Sequence, residues 1–274
     1  MEYAINIGYF TKKLKMEMEE IAPVIAKAGF TALDYTPSLK NDDWKADTYK
    51  NLEICERNGL KVHQTHAPFN RYNTYGDDYL TYLDRAFEMT KIMKAQYMVV
   101  HGDEFDFDNS TYSTQKAIAY NYELFAPYVE KAAKENIILA FENVFQDMGP
   151  DKVRLCSKVE ELKELIEKFH SENVCCCWDF GHGQVAFGSE QDEKIRYMGK
   201  LIKCTHIHDN YYGADLHLPP FLGDIDWKSC KKALNDINYD GNLSLELVYG
   251  NIPKALIDTF VKYLYESISY FNNL

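Results

Sequence analysis

The stretch Leu243–Tyr249, LSLELVY, is the eighth of eight short β-rich runs in the chain, and that count decides the fold. The other seven are YAINIGYF (3–10), TALDY (31–35), KVHQTHA (61–67), YMVVHGD (97–103), IILAFENV (137–144), VCCCWDF (174–180) and IKCTHIHD (202–209). Each is followed by a longer segment whose apolar residues recur at helical spacing. Parallel strands joined by crossover helices need both sheet faces covered. Eight units of about 30 residues therefore close into a (β/α)8 TIM barrel more readily than they open into a doubly wound sheet. The open sheet is further disfavoured by NIGYFTKK after the first run, which offers one glycine where a phosphate-binding fingerprint needs several.

A length of 274 residues suits one barrel, whose usual size is roughly 250 residues. Residues 1–274 are read as a single barrel domain with no linker or low-complexity segment. The helical segments carry apolar stripes: Ile21, Val24, Ile25 and Ala28; Leu80, Leu83 and Phe87; Val159, Leu162, Ile166 and Phe169; Leu256, Phe260 and Leu264. Gly29, Gly59, Asn136 and Asn173 each stand just before a strand, where a left-handed cap would end the preceding helix. Pro253 marks the start of the last one.

The formal net charge is −12, and the only short basic cluster is Lys12, Lys13 and Lys15. Such a field repels phosphate backbones, so nucleic acid is not an expected partner. No run of about 18 apolar residues exists to span a bilayer, and the first ten residues, MEYAINIGYF, lack the pattern of a signal peptide. Seven cysteines without a C-x-x-C pair fit reduced thiols, and Cys175–Cys177 read as strand filler. A cytoplasmic protein, alone or as a homo-oligomer, is the expectation.

In a barrel the chemistry sits at the carboxyl ends of the strands. The rare polar residues fall there: His66 in the third run, His101 in the fourth, Glu142 in the fifth, Asp179 and then His182 in the sixth, His206 in the seventh, Glu246 in the eighth. Glu246 is flanked by Leu245 and Leu247, so period-two alternation puts it on the face opposite two leucines, inside the barrel. An inward carboxylate needs a partner or a metal. Glu142 repeats the logic, and no inward Arg or Lys appears at any strand end. Glu142, Asp179, His206 and Glu246 could meet at one point, an oxygen-rich donor set suited to Mn²⁺, Mg²⁺ or Co²⁺ and tolerable for Zn²⁺. His206 and His208 share a face of the seventh run, and Asp209, Asp215 and His217 follow in the loop beyond it.

Together HQTHAPF (63–69), MVVHGD (98–103), AFENV (140–144), WDFGH (178–182), THIHDN (205–210), ADLHLPPFLGDIDW (214–227) and SLELV (244–248) resemble the xylose isomerase-like TIM-barrel superfamily of sugar isomerases, sugar epimerases and metal-dependent AP endonucleases. The resemblance implies that Glu142, Asp179, His206 and Glu246 are shared metal ligands for one divalent ion, and that His182 contacts substrate or a further metal. His66, His101, Asp215 and His217 match positions that complete a three-metal cluster in the endonuclease branch, which many sugar-handling relatives also keep. The chain departs from the common pattern at Phe221 and Leu222, where relatives often show a small, glycine-containing turn.

The chemistry so implied is proton transfer at the carbon next to a carbonyl of a small-molecule sugar, with the cation polarising the carbonyl. Glu142 and Glu246 would exchange the proton, while His66, His101, His182, Asp215 and His217 would contact the sugar hydroxyls. Two other readings remain: an AP endonuclease-like phosphodiesterase with a three-metal cluster, and a catalytically silent carbohydrate-binding barrel.

Overall fold

The computed structural model describes residues 1–36, 39–69, 75–102, 112–146, 153–211, 213–248 and 250–274. Asp103 and Tyr249, at the ends of the fourth and eighth expected runs, lie outside them. The eight runs form eight strands: β1 Tyr3–Asn6, β2 Ala32–Tyr35, β3 Lys61–His66, β4 Tyr97–His101, β5 Ile138–Glu142, β6 Val174–Asp179, β7 Ile202–His206 and β8 Leu243–Leu245. Neighbours pair in parallel in the order β7-β6-β5-β4-β3-β2-β1-β8. The ring closes where Ile207 N–H donates to the Ser244 carbonyl at 2.7 Å and Glu246 N–H to the Ile207 carbonyl at 3.1 Å. This is a (β/α)8 TIM barrel.

The surrounding helices are α1 Met18–Ala28, α2 Trp44–Arg57, α3 Tyr79–Ile92, α4 Thr114–Glu135, α5 Val159–Lys168, α6 Phe180–Phe187, α7 Gln191–Met198, α8 Trp227–Asp236 and α9 Ile257–Asn272. Their buried stripes meet the outer faces of the strands in one apolar layer. In two stripes one expected member falls outside the core, while Leu83, Phe87 and Leu264 are buried as expected. Leu80 is exposed while Tyr79, Leu83 and Ala86 face inward, and Leu256 is exposed while Ile257, Val261, Leu264 and Ile268 face inward. In each, the adjacent residue, Tyr79 or Ile257, takes the inward place at the helix start, and the leucine beside it is left outside.

Left-handed residues end the helices at Gly29 (φ 117°) and Asn136 (φ 55°), and Gly59 (φ 70°) closes the turn behind α2. After α5 that conformation falls on His170 (φ 46°), not on Asn173. Asn173 instead donates its amide to the Ile137 carbonyl at 2.8 Å, tying the approach of β6 to β5.

The lower barrel interior is filled by Tyr97, Val99, Ala140, Cys175, Cys177 and Cys204. Cys176 faces the helices instead. All seven cysteines are free and buried, and burial holds the thiols of Cys175, Cys177 and Cys204 well above the usual range. They act as small apolar fillers.

Candidate active site

Alternation sends Met98 and Val100, Leu139 and Phe141, and Cys176 and Trp178 outward into the helix-side core. His101, Glu142 and Asp179 at the ends of β4, β5 and β6 consequently turn inward. Leu243, Leu245 and Leu247 are likewise packed outside, which directs Glu246 in. Strands β3 and β7 need a further device, because Val62 and Ile202 pack outward although they are an even number of residues from His66 and His206. The ladder registers slip at those points, from Leu33↔Val62 to Asp34↔Gln64 and from Cys176↔Ile202 to Cys177↔Cys204. Each slip accommodates one extra residue, His63 in β3 and Lys203 in β7, and reverses the phase so that both terminal histidines point inward. Register then sets His101 beside Glu142 and Asp179 beside His206.

Glu142 is the centre of the resulting cluster, with 1% of its side chain exposed. Its Oε1 lies 3.1 Å from His206 Nδ1 and 3.2 Å from His182 Nδ1, and its Oε2 lies 3.2 Å from both His66 Nε2 and His101 Nε2. Burial alone would raise its pKa. The charge of His206 and hydrogen bonds from His101, His182 and His206 hold it well below the ordinary value instead. Asp179 behaves alike: burial opposes ionisation, but His182 and His208 bring it down to about 2. Its backbone is held by the Asn143 side chain, which accepts from Asp179 N–H at 2.7 Å and donates to the Asp179 carbonyl at 2.9 Å. Asp179 also caps α6, accepting from His182 N–H at 2.6 Å. Glu246 Oε2 stands 3.2 Å from His206 Nδ1, with 19% of its side chain exposed at the mouth.

The four expected ligands, Glu142, Asp179, His206 and Glu246, offer donor atoms that all lie within 4.8 Å of one another. Donors held at about 2.1 Å from one cation stand within roughly 4.2 Å of each other, so small adjustments suffice for a divalent ion. Three carboxylates and one imidazole fit such an ion chemically. Three other groups meet the same criterion: His66, His206 and Glu246; His66, His101 and Glu142; and His182, His208, Asp215 and His217. Within the last, His182 Nδ1 donates to the Asn143 carbonyl at 3.0 Å and His217 Nδ1 to the Glu246 carbonyl at 3.3 Å, which aims both Nε2 atoms at Asp215. His208 and His217 stack with ring centroids 3.9 Å apart and planes 12° from parallel. One cation cannot lie in the plane of both rings. His208 Nε2 points instead to Asp179, 3.0 Å away.

The loop beyond β7 is fixed by Asp209, whose buried carboxylate accepts from Phe221 N–H (2.9 Å), Ile225 N–H (3.2 Å) and Trp227 Nε1–H (2.9 Å). A side chain at Gly223 would collide with Asp209 and the Asn210 carbonyl, which explains the glycine there. The departure at Phe221 has a structural consequence: its backbone is left-handed (φ 71°) and its ring packs against Trp227 and Tyr270. Phe69 stacks on His101 at 4.6 Å and Phe145 tilts against His182 at 5.2 Å, flanking the cluster with aromatic surface.

All nine sequence-predicted residues thus converge on one mouth. Four more belong with them. Asp34 sits between Leu33 and Tyr35 as Glu246 sits between leucines, and the same alternation could have found it. His208 was visible as the same-face neighbour of His206. Asp209 left no sequence signal beyond its type. Lys12, on the π-helical turn Tyr9–Lys13 past β1, is exposed; partial loss of hydration lowers its pKa against the attraction of Glu246 and Asp34. The carboxylates are therefore served by several imidazoles.

A family model described as xylose isomerase-like TIM barrel matches residues 23–267. The D-psicose 3-epimerase of Enterocloster bolteae is 22% identical over 261 residues, covering 90% of this chain and 82% of that protein. A solved structure of a D-tagatose 3-epimerase-like protein superposes with a TM-score of 0.77 at 22% identity, covering 100% of this chain and 99% of that one. The IOLI protein with a bound zinc atom gives 0.79 at 16% identity, covering 100% and 98%. At these identities the structural likeness speaks for the fold.

Proposed function

The chain belongs to the xylose isomerase-like TIM-barrel family, and on that premise we propose that it is a divalent-metal-dependent sugar isomerase or epimerase moving a proton at the carbon next to a carbonyl. One observation carries the reading: Glu142 Oε1 and Glu246 Oε2 approach the same atom, His206 Nδ1, at 3.1 and 3.2 Å. Two carboxylates so placed can serve opposite faces of one small substrate. The sugar epimerases among the similar proteins support the substrate class.

Glu142, Asp179, His206 and Glu246 would hold the cation, which when bound supplies Lewis-acid polarisation of a carbonyl. Glu246, the more exposed carboxylate, takes or returns a proton at the mouth. Glu142, shielded from water, serves the other face. His66, His101, His182, Asp215 and His217 orient hydroxyl groups, and Phe69 and Phe145 cover the sugar's apolar edges and exclude water. In this reading residues 1–274 act as one barrel domain on a small molecule, in the cytoplasm.

Turnover of ketohexoses in deuterated water tests the reading. Deuterium is expected in the product, and Glu142→Gln or Glu246→Gln should each lower turnover at least ~10²-fold, the usual contribution of general acid–base catalysis. Chelation should abolish activity and Mn²⁺ or Co²⁺ restore it. Full turnover without deuterium uptake, or indifference to thorough chelation, would remove the proposal.

A second reading has its own support: beside the four expected ligands, His66, His101, His182, Asp215 and His217 supply further donor atoms of the kind a three-metal AP endonuclease-like phosphodiesterase would need. Against it stands the formal charge of −12, which opposes a bound polyanion. Three metals per chain together with metal-dependent nicking of abasic-site DNA at physiological salt would reverse the ranking. One metal and no nicking upholds it.

A further inference from the structure

His206 presents Nδ1 to the candidate cation centre, and its other nitrogen meets Asp34 deep in the barrel. Nε2 lies 3.1 Å from Asp34 Oδ2, and neither side chain has any exposed surface. Asp34 is held in place in turn. Gln64 Nε2 donates to Asp34 Oδ2 at 3.3 Å, and Asn242 Nδ2 donates to Gln64 Oε1 at 3.0 Å, so a chain of polar contacts runs from the approach of β8 through β3 and β2 to β7. Asp34 Oδ1 has no hydrogen-bond donor among the described residues. A buried carboxylate held this way has one strong hydrogen-bonding partner of opposite polarity, the His206 ring. Burying it is costly unless that contact is made.

The geometry points to Asp34 as the positioning residue of the centre: by accepting a hydrogen bond from His206 Nε2–H, it fixes the ring orientation that aims the Nδ1 lone pair at the point shared by Glu142, Asp179 and Glu246. A carboxylate behind a ligating imidazole also raises the basicity of the nitrogen facing the ion. The inference rests on the reading of those four residues as a cation site, and needs nothing from the sugar chemistry.

Because it concerns binding, it is tested without substrate. Co²⁺ affinity is measured by chelator competition and by the visible d–d bands for the parent chain, Asp34→Ala and Asp34→Asn. Folding is checked by circular dichroism, and the Zn²⁺-loaded proteins are examined by NMR for a slowly exchanging imidazole N–H. Asp34→Ala should weaken Co²⁺ binding about 10- to 100-fold and lose the protected N–H, as outer-shell replacements behind a ligating histidine do. Asp34→Asn keeps an acceptor oxygen, so it should retain the N–H and fall between the other two in affinity. It also covers the case in which the alanine variant does not fold. Equal affinity in the parent and folded Asp34→Ala, or Asp34→Asn as weak as Asp34→Ala, would overturn the role of the hydrogen bond while leaving the cation site standing. Failure of the parent chain to bind Co²⁺ at all would remove the site and this inference together.

Discussion

His182 and His217 show how single residues here are set by their partners. Burial disfavours a charged imidazole in both, yet Asp179 and Glu142 around His182, and Asp215 and Glu246 around His217, raise each from its ordinary 6.5 to about 9. Without a cation, imidazolium protons balance the buried carboxylates. A raised folded-state value contributes stability that is fully present below 6.5 and is lost as pH climbs through 9. Asp179, lowered from 3.8 to about 2, contributes stability that is present above 3.8 and lost as pH falls through 2. The chelated protein should therefore melt at progressively lower temperature between pH 6.5 and 9.5, and the Mn²⁺-loaded protein should lose less, since the ion takes over part of the compensation. Melting curves across that range, with and without chelator, check this; a chelated protein equally stable at both ends would contradict the assigned partners.

At the scale of elements, the short helix α6 couples the sheet to the site. Asp179 ends β6 and caps α6, and Gly181 in its first turn lies against the His208 ring so closely that an added Cβ would fall on it. By helix propensity alone, Gly181→Ala should stabilise by up to about 1 kcal/mol. Overpacking a buried ring costs about 1–3 kcal/mol, and moving His208 also breaks its 3.0 Å contact with Asp179, so the steric effect wins. Gly181→Ala is expected to be less stable than the parent in urea unfolding and to bind Co²⁺ more weakly; a gain in stability would show that His208 has room to yield. The bulges in β3 and β7 act on the same scale. Each shifts one strand's phase by a residue, and with strict alternation His66 and His206 would share the outward face of Val62 and Ile202.

For the whole molecule, a ring of strands brings residues as far apart as Asp34 and Glu246 to one mouth, so an ion bound there links β5, β6, β7 and β8. Binding only to the folded chain, at free Mn²⁺ 100 times its dissociation constant, should stabilise by about 2.7 kcal/mol. For a chain of this size that is roughly 5–10 °C in melting temperature. Calorimetry with chelator and with Mn²⁺ measures it, and a melting point unmoved by either would count against the cation site. No described helix is long and apolar enough to cross a membrane. The sequence by itself determined the barrel, because eight apolar runs separated by helical stripes have one economical way to cover both sheet faces. It also determined which strand ends carry the gathered carboxylates and imidazoles, and Glu246's inward face, because alternation between two leucines leaves a carboxylate no other side. Only the tertiary structure decided the rest. The phase of β3 and β7 depends on ladder slips that no period-two pattern reveals. The gathering of four imidazoles around Glu142 and the pairing of Asp34 with His206 depend on distances across a closed ring, set by register between residues remote in sequence.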